Sequence, residues 1–229
     1  SEDTYRTLMA ADCAVMVLDA AKGVEAQTRK LFEVCAQRGI PVFTFINKLD
    51  RPSMDALGLL DEVETVLGMQ PVPMNWPVGE GATFMGVYER AGGRVHLYDR
   101  TARNQTISPE TITTLDDPRI EQTLSSYQFD DLHTNIALLD ELATFDLDDV
   151  LSGKQTPVYF GSALTNFGVQ LFLDDFIRYA PQPATYRSDV GTIEPTDGEF
   201  SGFIFKIQAN MDPRHRDSVA FLRICSGRF

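Results

Sequence analysis

Two short apolar runs, CAVMVLD (Cys13 to Asp19) and VFTFIN (Val42 to Asn47), stand on either side of a segment with helical spacing, EAQTRKLFEVCAQRGIP. Runs of this length, rich in β-branched and aromatic residues and without polar alternation, are the pattern of strands buried on both faces of a parallel sheet. Between them Leu31, Phe32, Val34 and Cys35 are apolar among charges, with Gly39 where a helix stops and Pro41 just beyond. Parallel strands need a crossover of this kind, so Cys13 to Asn47 reads as one βαβ unit. A second helix is expected between Pro52 and Leu67, where Leu57, Leu60, Val63, Val66 and Leu67 recur at helical spacing. TPVYFGSAL (Thr156 to Leu164) restores a buried strand, and VQLFLDDFIRYAP a helix closed by Pro181.

The excursion between these α/β pieces is roughly 85 residues, far above an ordinary loop. From about Gln70 the chain changes to short runs broken by Gly and Pro, namely PVPMNWPVG, FMGVYER and RVHLYDR with a turn at Gly92 and Gly93, which predict a small antiparallel sheet. Trp76 and Phe84 are expected to pack that sheet. Residues 130 to 149 hold seven acidic side chains and no lysine or arginine around Leu132, Ile136, Leu138, Leu139 and Leu142, an acidic amphipathic helix. Beyond it, FSGFIFKIQANM and SVAFLRICSGRF read as two strands around a polar loop, MDPRHRD, like the opening of a β-barrel.

Charge gives a boundary. Twenty basic and thirty-three acidic residues leave a formal charge of −13, which disfavours DNA and other polyanions as partners. Residues 187 to 229 carry six of each sign, so the whole excess lies before Arg187. Arg214, His215, Arg216, Arg223 and Arg228 make the one basic cluster, able to touch RNA phosphate or to lie in solvent. No apolar run reaches the ~18 residues of a membrane span. Cys13, Cys35 and Cys225 are isolated, and His96, His133 and His215 are scattered, so neither a disulfide framework nor a metal site is expected and the chain reads as cytoplasmic. The chain opens at Ser1 with a helical pattern already running and closes at Phe229 inside a strand pattern, as a piece of a longer protein would.

The chemistry is concentrated in two loops. In FINKLD, the residues Asn47, Lys48 and Asp50 directly follow a buried strand, at the carboxyl edge where open α/β sheets bind ligands. In FGSAL, Ser162, Ala163 and Leu164 follow the third buried strand. Together they form a base-reading pocket on paper. The Asp50 carboxylate can accept two N–H bonds from the guanine edge, Lys48 can lie along the ring face, and the Ala163 N–H can donate to the guanine oxygen. Adenine offers an acceptor where Asp50 needs a donor, at a cost of roughly 1.5 to 3 kcal/mol per lost charged hydrogen bond.

This pair of loops resembles the guanine-specificity loops of the translational GTPases. Within that family VLDAAKGVEAQT, FINKLDR, WPVGEG, FGSALTNFGV and QANMDPRHRDSVAFLRICSGRF are most similar to the termination-factor branch; elongation factor G shares the layout but differs around Met211 to Asp217. The resemblance implies an α/β fold: a partial P-loop-NTPase-like parallel sheet with helices over residues 1–69 and 156–186, an inserted α+β subdomain over 70–155, and the first strands of a β-barrel domain over 187–229. It implies that Asn47, Lys48 and Asp50, with Ser162, Ala163 and Leu164, hold the guanine of GTP or GDP. It implies a parent GTPase that works with Mg2+, the ribosome and class I release factors. The glycine-rich Gly-Lys-Ser/Thr turn and the Asp-Thr-Pro-Gly-His segment that hold phosphate and Mg2+ in the family are not in this sequence, so the polypeptide alone is expected not to hydrolyse GTP. An elongation-type or ribosome-protection GTPase, or a non-catalytic ribosome-docking module whose acidic segment meets a basic ribosomal protein, are the alternatives. An uncovered strand edge at Cys13 to Asp19 makes self-association plausible.

Overall fold

The computed structural model describes residues 2–98, 110–142, 144–189, 191–209 and 218–229, which divide by their contacts into two units, Val15–Ala180 and Ser1–Ala14 with Pro181–Phe229. Among them no helix is long and apolar enough to cross a membrane.

The larger unit is built on a four-stranded sheet in the order β1-β2-β8-β3, from β1 (Ala14–Asp19), β2 (Val42–Asn47), β8 (Gln155–Phe160) and β3 (Gln70–Pro73). Strand β8 runs parallel to both β2 and β3, with Ile46 beside Phe160 and Pro73 beside Val158. Helix α2 (Ala26–Gln37) joins the first two strands and ends where the sequence signals it: Gly39 takes φ 63°, its N–H donates to Ala36 O and the Ile40 N–H to Cys35 O. Helix α3 (Ala56–Leu67) starts on Asp55, which accepts the Gly58 N–H, and stops at Gly68 in the left-handed region. Its buried stripe is Leu59, Leu60, Val63 and Leu67, one step rotated from the expected set.

Helix α7 (Val169–Tyr179) covers the other face through Phe172 and Phe176, which meet Phe45 at 5.3 Å and Phe43 at 5.1 Å between ring centroids. Each such ring contributes about 1.5 to 3 kcal/mol on burial. The cover stops short of β1. The Ala20 N–H donates to Asn47 O, which sets Asp19 beside Asn47, so strand alternation puts Val15 and Val17 on the face of Phe43 and Phe45. Both are exposed, Val17 by 57%. The expectation that Cys13 to Asp19 is buried on both faces therefore fails at this strand: β1 ends the sheet, and only Met16 and Leu18 are covered.

A second correction concerns PVPMNWPVG, read as wholly antiparallel. Its first part, β3, belongs to the parallel sheet, and only β4 (Asn75–Val78) enters the antiparallel sheet β4-β5-β6-β7, with β5 (Gly86–Glu89), β6 (Arg94–Tyr98) and β7 (Glu110–Thr113). The expected turn is there, since Glu89 pairs with Arg94 around Gly93 at φ 62°. Trp76 and Phe84 are buried, Trp76 against Phe160 of the parallel sheet and Phe84 against Phe167. The acidic segment forms two helices, α5 (Ser126–Leu142) and the short α6 (Leu147–Leu151), because Asp146 accepts the N–H groups of Asp148 and Asp149 and starts a new helix. Helix α4 (Pro118–Thr123) precedes them, capped by Asp117.

In the smaller unit, helix α1 (Glu2–Leu8) is followed by Asp12, which accepts the Ala184 N–H on one oxygen and the Arg223 guanidinium on the other at 2.6 Å. A second Arg223 nitrogen donates to Ala10 O at 2.8 Å. Arg223 is thus committed inside the unit and is no free phosphate ligand; Arg214, His215 and Arg216 lie outside the described residues. A short hairpin, β9 (Tyr186–Ser188) with β10 (Gly191–Ile193), precedes the long antiparallel pair β11 (Ser201–Ala209) and β12 (Ser218–Ser226).

Candidate guanine-nucleotide site

Strands β2 and β8 are neighbours, so the loops that leave their carboxyl ends, 47–50 and 161–167, meet at one edge of the sheet. Their backbones are tied first: Gly161 N–H donates to Ile46 O at 3.0 Å, and Leu49 N–H to Gly161 O at 3.2 Å. Leu49 is buried and anchors the first loop, which leaves the polar residues on either side of it to face outward.

The side chains then lock the two loops together. Asn47 Oδ1 accepts the N–H of Lys48 at 2.8 Å and that of Ala163 at 2.9 Å, one amide oxygen bridging both loops. Ser162 Oγ donates to Asp50 Oδ1 at 2.6 Å. Ser162 is fully buried and pairs with Phe167 through both backbone groups, closing a tight turn whose tip, Leu164, is 76% exposed. The other Asp50 oxygen, Oδ2, lies 4.0 Å from Arg51 Nε. All six residues singled out in the sequence therefore sit on two joined loops. The Ala163 N–H is already engaged by Asn47, so a guanine oxygen there would share that N–H or take it from the amide.

Lys48 holds φ 74°, a left-handed conformation that costs a non-glycine residue energy and clusters at functional sites. Its Nζ donates to Asp19 Oδ2 at 2.6 Å, so the side chain spans from β2 to the end of β1. That ammonium, and next the Ala21 N–H, hold the Asp19 carboxyl below its ordinary range. Asp19 is a residue that sequence reasoning missed, although the signal was present: it ends the first apolar run as Asn47 ends the second. Its depressed folded pKa means a stabilising contribution present above the unfolded value near 3.9 and lost as pH falls through the lower folded value. The gap in urea midpoint between the wild type and Asp19→Ala is accordingly expected to be widest near neutral pH and to close in acid. A gap that stays constant from pH 7 to 2 would contradict the assignment.

Two adjacent carboxyl-end loops of a parallel sheet thus present a carboxylate, an amide and a small-residue turn at the edge where open α/β sheets bind ligands. The chain belongs to the translational GTPases: the family model for the elongation factor Tu GTP-binding domain matches residues 1–182, and that for elongation factor G domain 2 matches 199–229. Its similar relatives include proteins named peptide chain release factor 3 from Gloeobacter violaceus and Cyanothece sp., each 56% identical over all of this chain, and from Trichodesmium erythraeum, 54% identical. The chain spans 43% of the first of these relatives and 42% of the other two. A solved Thermus thermophilus structure superposes on the whole chain with a TM-score of 0.70 at 22% identity, covering 34% of that protein, and shares the fold.

Proposed function

We propose that this chain is the base-reading part of a GTP-driven translation termination factor. The observation that carries the reading is the joint between the loops, Ser162 Oγ on Asp50 Oδ1, which holds the Asp50 carboxylate where a purine edge would meet it. Asp50 accepts the ring and amino N–H groups of guanine, Lys48 flanks the ring, and Asn47 with Ala163 frames its oxygen side, while Leu164 carries the turn around the site. The likeness to proteins named peptide chain release factor 3 supports a cytoplasmic parent that hydrolyses GTP with Mg2+ on the ribosome and promotes the departure of class I release factors. This sequence contains no Gly-Lys-Ser/Thr turn, so we assign to it recognition of the base and not phosphoryl transfer. In the same reading, residues 1–69 and 156–186 belong to the nucleotide domain, 70–155 to its inserted subdomain apart from the strand Gln70–Pro73, and 187–229 to the next domain.

Calorimetric titration with guanosine and adenosine diphosphates tests the proposal. Guanosine-selective binding supports it, and equal binding of the two or none overturns it for this polypeptide. We also propose that the chain self-associates through β1, the last strand of the sheet, which carries the exposed Val15 and Val17. Light scattering is expected to give a dimer for the wild type and a monomer for Val17→Lys, a charge being the usual means of blunting a strand edge. A wild-type monomer at high concentration would contradict this.

A further inference from the structure

We propose that Asn75 is a positioning residue of the guanine site, an inference that rests on the functional reading above. Strand β3 runs beside β8 as far as Pro73 beside Val158, and the Met74 N–H still donates to Val158 O at 2.9 Å. One residue later the chain leaves: Asn75 opens β4 and pairs with Glu89 of β5. The departure strips the last residue of β8, Phe160, of a backbone partner on that side, and Phe160 is fully buried.

The Asn75 side chain takes the missing place. Its Nδ2 donates to Phe160 O at 3.0 Å and its Oδ1 accepts the Phe160 N–H at 2.7 Å. A carboxamide presents one N–H and one C=O side by side as a peptide unit does, and the two partners dictate which atom points where. Asn75 is fully buried, and the next residue, Trp76, lays its ring against that of Phe160 at 5.4 Å. The inserted sheet therefore grips Phe160 by backbone and by ring.

Phe160 is the residue before Gly161, Ser162 and Ala163. On its far side the Gly161 N–H reaches Ile46 O, and Gly161 O accepts the Leu49 N–H; Leu49 O in turn accepts the Gly81 N–H at 2.8 Å, from the loop that follows β4. The stretch Asn75–Gly81 thus braces both base-reading loops, the 161–167 turn through Asn75 and the 47–50 loop through Gly81. Removing the carboxamide frees Phe160 to shift toward the vacated edge, and the Ser162–Asp50 joint shifts with it.

Hydrogen exchange on Asn75→Ala, in the full 229-residue chain, tests this without nucleotide. Amides 160–167 are expected to exchange about tenfold faster than in the wild type, while those of β6 keep their protection. The second readout is the ratio of affinities for guanosine and inosine diphosphates, which differ by the amino group that Asp50 reads. A purely structural role would weaken both alike, whereas a positioning role lowers the ratio about threefold or more. If Asn75→Ala does not fold, Asn75→Ser replaces it with the same readouts, its single short hydroxyl being unable to serve the Phe160 N–H and C=O together. Wild-type exchange at 160–167 in a folded variant overturns the proposal. So does an unchanged ratio in a variant that binds nucleotide. If the wild type itself binds no guanine nucleotide, the functional reading fails by itself and the exchange comparison still decides the role of Asn75 in shaping the turn.

Discussion

Asp50→Ala is expected to lower the affinity for guanosine diphosphate by at least about a hundredfold and to erase the preference over adenosine diphosphate. The carboxylate has two tasks that the geometry separates. Oδ1 accepts from the buried Ser162 hydroxyl, and Oδ2 faces outward near Arg51. A purine edge with two N–H groups would make two charge-assisted bonds to it, each worth roughly 1.5 to 3 kcal/mol, and losing both costs at least two decades in dissociation constant. The structural task is smaller. Ser162 Oγ still receives the Thr165 N–H at 3.4 Å, but its buried O–H loses its acceptor, which should lower stability by about 1 to 3 kcal/mol. Calorimetry beside urea unfolding separates the two. A fall in affinity under about threefold, or retained guanosine preference, would remove Asp50 from the base-reading role.

What the sequence disclosed follows from the range of the forces involved. The strands β2 and β8 and helices α2, α3 and α7 were legible because burial repeats at their own periods and their ends carry local signals, such as Asp55 and Gly39. The six candidate site residues were legible because they end or closely follow two of those strands. Long-range partnership was not. Nothing in CAVMVLD says that Val15 and Val17 are exposed, because the apolar run of a sheet-ending strand reads the same as that of a central one. Nothing in PVPMNWPVG says that its first three residues pair in parallel with a strand some 85 positions away, since register is a tertiary decision. Asn75 is the residue at which that segment changes sheets, and its polarity within an apolar run was the only local sign. The Asp19–Lys48 pair joins residues 29 apart in sequence and is equally invisible without the sheet order.

Gly161→Ala is expected to damage the larger unit through a single methyl, lowering its stability by about 2 to 3 kcal/mol and its melting temperature by several degrees. A Cβ there would stand 2.5 Å from Phe167 O and 2.8 Å from Phe45 Cζ. Neither neighbour can yield. Phe167 O is the acceptor of the Ser162 N–H, and its ring is stacked on Tyr98 at 4.7 Å, while Phe45 is packed against Phe172. The control is Gly58→Ala in α3, where the added methyl meets only Asp55 atoms at 3.7 and 4.0 Å and should stabilise by about 0.5 to 1 kcal/mol. Gly161 sits between the Leu49 N–H and Ser162, so relief of the clash has to open the joint between the loops, and guanine affinity falls together with stability. Asp50→Ala, by contrast, removes two bonds to the base and only one within the protein, so it takes more affinity than stability. If Gly161→Ala destabilised the unit as expected yet, still folded at low temperature, bound guanosine diphosphate as the wild type does, the two loops would not need each other to read the base, and Asn47 and Asp50 alone would carry the selectivity.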